Sequence, residues 1–177
     1  MKLLFSLLFI LNLSACSANR PVVYYNKFDF SQVKKYSFYT ADSAFFESQS
    51  LNYAQRSRIE LAIENKLAER SLHYSELAQA DVIVTYHIVG RKRHDYQAYN
   101  KVVRFCTHCL KSNLWDEKNG GFQAYPGGLI IDLVNPKNNR SVWRSIAPLK
   151  IDIKDNSNKL NEKLIEAVGD MLAQYPS

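Results

Sequence analysis

The sharpest chemical pattern in the chain is Cys106-Thr107-His108-Cys109, two thiols three positions apart with an imidazole between them. Three chemistries suit it. Outside the cytoplasm such a pair closes a small disulfide within a loop, the default for a paired cysteine count. With the first thiolate stabilised at a helix N-terminus in a βαβ setting, it forms a redox-active dithiol. With two further ligands it holds zinc, and His94 or His108 would have to complete a set that no obvious spacing supplies. The next residues, Leu110-Lys111-Ser112-Asn113-Leu114, mix Ser and Asn into an apolar run and give no strong helix. The spacing therefore predicts a bridge between Cys106 and Cys109.

Other reactive side chains are scattered. Asp81 and Asp132 fall in β-rich runs with no second carboxylate at a telling distance, and read as outward or edge residues pairing with Lys or Arg. His87 reads as a satisfied sheet histidine. Trp143 and Arg144 suggest a ligand platform, although a sheet Trp is more often core. Arg91, Lys92, Arg93 and His94 precede Tyr96, Tyr99, Trp115, Phe122 and Tyr125. That interleaving suits a sugar-phosphate ligand, and equally suits loop aromatics folded back onto a sheet, the reading favoured here. No Ser-His-Asp order, phosphate loop or helical His-Glu-x-x-His is present. The expectation is a non-enzymatic protein without cofactor, metal or nucleic acid, with a thiol-disulfide redox protein using Cys106 and Cys109 as the alternative.

The third cysteine has a different setting. Lys2 is followed by Leu3 to Leu13, apolar except for Ser6 and Asn12. A spanning helix needs roughly 20 apolar residues, so this run is too short and fits the core of a secretory signal peptide. It ends in Leu13-Ser14-Ala15-Cys16, which resembles the bacterial lipobox. The resemblance implies cleavage between Ala15 and Cys16, with Cys16 acylated as the first mature residue. Each buried methylene contributes ~0.8 kcal/mol, so several chains such as palmitate make a stable anchor. Ser17, where an aspartate would signal inner-membrane retention in enteric-type bacteria, points to the outer membrane with the domain facing the periplasm. Residues 1–15 are then signal peptide, 16–21 a lipidated tether and 22–177 a single domain. A histidine before the second cysteine also occurs in periplasmic thiol oxidases that resemble thioredoxin, which is what keeps the redox alternative open.

The 177 residues are 46% hydrophobic, enough for a real core in one ordinary domain. The formal charge is +6, and removing Lys2 leaves 6 − 1 = +5. A basic balance favours acidic partners such as a phosphorylated glycolipid, although solvated surface lysines are the commoner cause.

The elements that must position these residues are read from periodicity. Gly127 to Ala147 carries two β-rich runs around Asn135, Pro136, Asn138 and Asn139, so the six residues 135–140 predict a hairpin. Val22 to Tyr25, Tyr36 to Thr40 and Ala80 to Val89 read as further strands. Residues 52–70 read as a helix with an Asn52–Gln55 capping box and an Ile59, Ala62, Ile63, Leu67 face, leaving Arg56, Glu60, Glu64 and Lys66 to solvent. Residues 91–126 are long for a connection, which predicts a strand inside them at Lys101 to Cys106. Leu149 to Ile153 reads as an extension of the second hairpin strand. A last helix follows a polar turn at Asn156 to Asn158, with Leu164, Ile165, Val168, Met171, Leu172 and Tyr175 on one face before Pro176.

In this order the pieces resemble the bacterial lipoprotein family called domain of unknown function 4136. The matching residues are Asp29-Phe30-Ser31 before Tyr36-Ser37-Phe38, Arg58-Ile59 opening the helix, Ala80-Asp81-Val82, Gly127-Gly128, Ile131-Asp132 and Val142-Trp143-Arg144. Asn135 stands where the family often has Asp, Ser145 where it often has Gly, and the Cys106–Cys109 stretch is outside the pattern. The resemblance implies a sheet with helices packed on it, and leaves activity open. Strands, helix, strands, helix also predict an α+β, two-layer sandwich: a mostly antiparallel sheet with two helices on it. The functional expectation is an outer-membrane lipoprotein whose periplasmic domain binds an envelope protein or glycolipid, joined to the membrane at Cys16.

Overall fold

Asn135 to Arg140 does reverse the chain. In the computed structural model, which describes residues 21–39, 51–89, 93–106, 111–112, 127–149 and 156–176, strands β6 (Gly128–Asn135) and β7 (Arg140–Pro148) form the predicted hairpin. The Asn135 carbonyl accepts the Asn139 N–H at 2.8 Å, and the Asn135 side chain accepts the Lys137 N–H at 2.9 Å. Asn138 Oδ1 accepts the Arg140 N–H at 3.1 Å, and Asn139 sits at φ +53°, the left-handed region that Asn tolerates. Gly127 enters β6 at φ +82°, a conformation that favours glycine.

The other strands are β1 (Val22–Tyr25), β2 (Lys35–Phe38), β3 (His73–Tyr74), β4 (Val82–Ile88) and β5 (Lys111–Ser112). Together they form one sheet in the order β3-β2-β4-β6-β7-β1-β5. Only β2 runs parallel to its neighbours β3 and β4; the remaining pairs are antiparallel. The predicted α+β class and mostly antiparallel sheet are therefore correct.

Helices α1 (Tyr53–Ala68) and α3 (Ser157–Leu172) lie together on one face. The predicted capping box starts α1: the Asn52 side chain accepts the Gln55 N–H at 2.9 Å, and Gln55 returns the bond to the Asn52 N–H at 3.0 Å. Ile59, Ile63 and Leu67 of α1 and Leu164, Val168 and Met171 of α3 pack on Val82, Val84, Leu129, Ile131, Leu133 and Trp143 of the sheet. Two surface assignments differ from expectation. Arg56 is buried, its Nε donating to the Leu51 carbonyl at 3.2 Å, and Ile165 faces solvent.

The strand expected at Lys101 to Cys106 is absent. Arg93–Val102 forms helix α2 instead, packed on the opposite face through Tyr99, with Val103 immediately beyond it, against Ile83, Ile130, Val134 and Ile146. Tyr96, Tyr99 and Val102 recur at helical spacing, and that period outweighs the β propensity of Val102-Val103. A sheet whose odd and even positions are both apolar needs cover on both faces, and α2, a third helix where two were expected, supplies the second. Residues 150–153 of the expected strand extension lie outside the described residues.

The turn gives a direct test. Asn139→Gly should leave stability within ~0.5 kcal/mol, whereas Asn139→Val should lower it by about 1–2 kcal/mol, because a β-branched side chain resists positive φ. Urea unfolding of the two variants checks this.

Candidate functional site

The densest polar cluster lies under α2. Register places Thr85 of β4, Asp132 of β6 and Arg144 of β7 in one row across three central strands. Ser141 joins them through an irregularity in the hairpin. Leu133 pairs with Trp143 and Val134 with Ser141, so Val142 is an extra residue. In a regular strand Ser141 and Arg144 would face opposite sides. The bulge puts Val142 and Trp143 both into the α1/α3 core and turns Ser141 and Arg144 both toward Asp132.

The Asp132 carboxylate is saturated. Arg144 Nε donates to Oδ1 at 2.8 Å and to Oδ2 at 3.0 Å. Ser141 Oγ donates to Oδ1 and the Tyr99 hydroxyl donates to Oδ2, each at 2.5 Å. The Tyr99 hydroxyl also lies 2.9 Å from Thr85 Oγ1, and its ring stacks on His87 at 4.6 Å between centroids. From α2, Asn100 Oδ1 accepts from Arg144 Nη1 at 2.7 Å and the Tyr96 hydroxyl at 3.3 Å. The guanidinium lies 3.6 Å over the Phe105 ring, a cation–π contact in a dry setting. Asp132, Arg144 and Tyr99 are fully buried.

Burial pushes the Tyr99 hydroxyl well above the usual tyrosine range, and the Asp132 charge pushes it further. Burial alone would lower the Arg144 pKa, but Asp132, Tyr99 and Tyr96 more than compensate and hold it above its ordinary value. The cluster is thus an ion pair with a neutral phenol on it. It can orient α2 on the sheet; its hydrogen-bonding capacity is directed inward, to protein.

The residues singled out in the sequence are distributed differently from a single site. Trp143 is core, on the face opposite Arg144, so the two form no joint platform. Asp132 pairs with Arg as read, but inside the protein rather than at an edge. Asp81 is exposed and accepts the backbone N–H groups of Lys34 and Lys35, at 3.0 and 2.8 Å, and among the described residues it pairs with no cationic side chain. His87 is buried in the sheet, and Tyr96 and Tyr99 do fold back onto it. Cys106 is half-buried just beyond α2. Ala15, Cys16, Thr107, His108, Cys109, Trp115, Phe122 and Tyr125 lie outside the described residues. Among the described residues no group of three or more His, Cys, Asp or Glu converges as metal ligands.

A second feature went unread in the sequence. An open cleft of about 560 Å³ sits at the turn end of the hairpin, walled by Tyr25, Phe28 and Val142 and rimmed by Asn26, Lys27, Asn135 and Asn138. Its sequence signal is Asn26 with the turn asparagines Asn135 and Asn138, residue types that turn chemistry alone already explains.

The buried pair is testable by comparison of variants. Arg144→Met should cost about 3–5 kcal/mol, since it strands a buried carboxylate. Asp132→Leu with Arg144→Met should cost less than Arg144→Met alone. In the double variant Tyr99 and Thr85 keep each other as partners, and Ser141 Oγ keeps the Trp143 carbonyl at 3.3 Å. Denaturant unfolding of the variants measures the order.

Comparison with known proteins places the fold. The chain resembles a domain of unknown function 4136 family protein from Bacteroides thetaiotaomicron with a TM-score of 0.54 and 15% identity, over 89% of this chain and 96% of that one. It also aligns with a PDZ domain protein from Parabacteroides distasonis at TM-score 0.48 and 20% identity, over 89% of this chain and 35% of that one. No curated protein matches. The family model described as domain of unknown function (DUF4136) matches residues 21–177, so the chain belongs to that family.

Proposed function

We propose that the chain is an outer-membrane lipoprotein, anchored through acylated Cys16, whose domain faces the periplasm and binds an envelope component without catalysing a reaction. The observation that carries this is where the sheet takes up the chain. β1 begins at Val22 and is hydrogen-bonded into the sheet beside β7, and Gln174 beyond α3 donates to the Pro21 carbonyl at 3.3 Å. Only Ser17 to Arg20 separate Pro21 from Cys16. At ~3.3–3.6 Å per extended residue, six steps from Cys16 to Val22 reach about 20 Å, so the domain is held close to the bilayer. Among the described residues no helix is long and apolar enough to cross a membrane.

The same geometry weighs against the redox alternative. Cys106 follows the C-terminus of α2, and β5 begins at Lys111. A helix C-terminus carries the negative end of the macrodipole, which disfavours a thiolate. The reading of Cys106 and Cys109 as a structural bridge is supported by the place of Cys106, between a helix end and a strand.

Two experiments test this. Radiolabelled palmitate should enter the wild-type protein and not Cys16→Ser; equal labelling refutes the anchor. Intact-mass analysis after alkylation should show no free thiol at Cys106 or Cys109 without reductant. Replacing both with Ser should cost less than ~2 kcal/mol, because so short a loop contributes little chain entropy. Two freely alkylated thiols under non-reducing conditions rule the bridge out, and stoichiometric zinc moves the pair to metal binding.

A further inference from the structure

We infer that the cleft at the turn end of the β6–β7 hairpin binds an anionic saccharide, a sugar chain that carries a carboxylate or phosphate group. The inference rests on the envelope-binding reading for where the ligand would be met, and on the cleft itself for what the ligand is.

The asparagines set the chemistry. Each of the three has its side-chain oxygen committed to a backbone N–H two residues on: Asn26 Oδ1 to Phe28 at 2.9 Å, Asn135 Oδ1 to Lys137 at 2.9 Å and Asn138 Oδ1 to Arg140 at 3.1 Å. A backbone N–H can only donate, so the amide orientation is fixed in every case. What remains of each side chain is an NH₂ group, and among the described residues none of the three donates to protein. Lys27 Nζ, exposed on the same rim, has no carboxylate partner among the described residues. Among the described residues the cleft lining holds no acid, and Asp29, two positions after Lys27, accepts from Ser31 N and Oγ at 3.1 and 2.6 Å. The rim is therefore composed of donors, and it calls for a ligand rich in acceptors.

Three neutral donors with one cation suit hydroxyl and ring oxygens accompanied by a single anionic group. Tyr25, which is 39% exposed, and the half-buried Phe28 offer ring faces on which the apolar face of a sugar can lie. The volume of about 560 Å³ falls within the ~300–1,000 Å³ typical of ligand sites. Lys137 and Arg140 flank Asn138 in the turn, and Arg104 Nη1 donates to the Asn138 carbonyl at 3.2 Å, but among the described residues Lys27 is the cation that lines the cleft.

The turn oxygens make a clean variant available. Asn26→Asp and Asn138→Asp keep an oxygen to accept the Phe28 and Arg140 N–H groups, so both turns persist while two donors become acceptors with negative charge. The full chain, purified in detergent, is titrated calorimetrically with a galacturonate trimer, a hexosamine phosphate, neutral maltotriose and a glutamate-rich peptide. The expected result is binding of at least one anionic sugar, at least tenfold tighter than maltotriose and the peptide. The preferred anion, carboxylate or phosphate, distinguishes the two possible sources of charge. Asn26→Asp with Asn138→Asp should weaken that binding at least tenfold, and Lys27→Ala should weaken the anionic sugar while leaving maltotriose unchanged. No binding of either anionic sugar, equal binding of maltotriose, tighter binding of the peptide, or unchanged affinity in the double variant overturns the proposal. None of these outcomes touches palmitate labelling at Cys16, so failure of the cleft and failure of the envelope reading remain separable.

Discussion

A carboxylate and a guanidinium side by side in the middle of a sheet have to be kept dry and given hydrogen-bonding partners, and much of the second face of this domain follows from that requirement. Removing each ion from water costs several kcal/mol, which the mutual attraction repays only with good geometry and partners for the remaining hydrogen-bonding positions. The central hairpin supplies the geometry, because register sets Asp132 opposite Arg144. The bulge at Val142 adds Ser141, and β4 adds Thr85. The remaining groups, Tyr96, Tyr99 and Asn100, come from α2, and Phe105 follows it. That helix is thus held by polar bonds at its centre and by a small apolar cluster around them, whereas α1 and α3 are held mainly by the larger apolar core, with the Tyr86 hydroxyl donating to Glu60 of α1 at 2.5 Å.

What the sequence disclosed depended on the range of the interaction. The hairpin turn, the capping box of α1 and the face of α3 are local, set by residues within a few positions of one another, and each could be read from Asn135–Asn139, Asn52–Gln55 and Leu164–Leu172. The Asp132 cluster is not local. It joins residues from 85 to 144, and a bulge at one position decides which side Ser141 faces. Alternation counted along β7 would put Ser141 and Arg144 on opposite faces. The strand read at Lys101 to Cys106 failed for a related reason: Val102-Val103 has β propensity, but the Tyr96–Tyr99–Val102 period reports the surface the segment buries, and burial prevails. Charge alone places Arg56 in solvent, whereas the packing of α1 buries it, with its Nε donating to the Leu51 carbonyl at 3.2 Å.

In the sequence, the proposed anchor precedes the same short strand that the cleft residues Asn26, Lys27 and Phe28 follow. β1 is four residues long, so its two ends are about 10 Å apart at ~3.3 Å per residue. With Cys16 acylated, the tether ahead of β1 and the cleft beyond it place the donor rim within a few nanometres of the bilayer surface. The bulged hairpin links this cleft to the buried pair. Val142, the extra residue of the bulge, also walls the cleft, so the irregularity that brings Ser141 to Asp132 shapes one side of the opening.

The central claim is that the buried pair makes α2 and the hairpin one cooperative unit. Native-state hydrogen exchange of the unmodified protein tests it most directly. The account predicts that the backbone amides of Tyr99 and Val103 open with the same free energy as those of Ile131 and Leu133, close to that of global unfolding. Near-intrinsic exchange along α2, with the hairpin amides still protected, would show that the helix is a loosely held cover and would contradict the account.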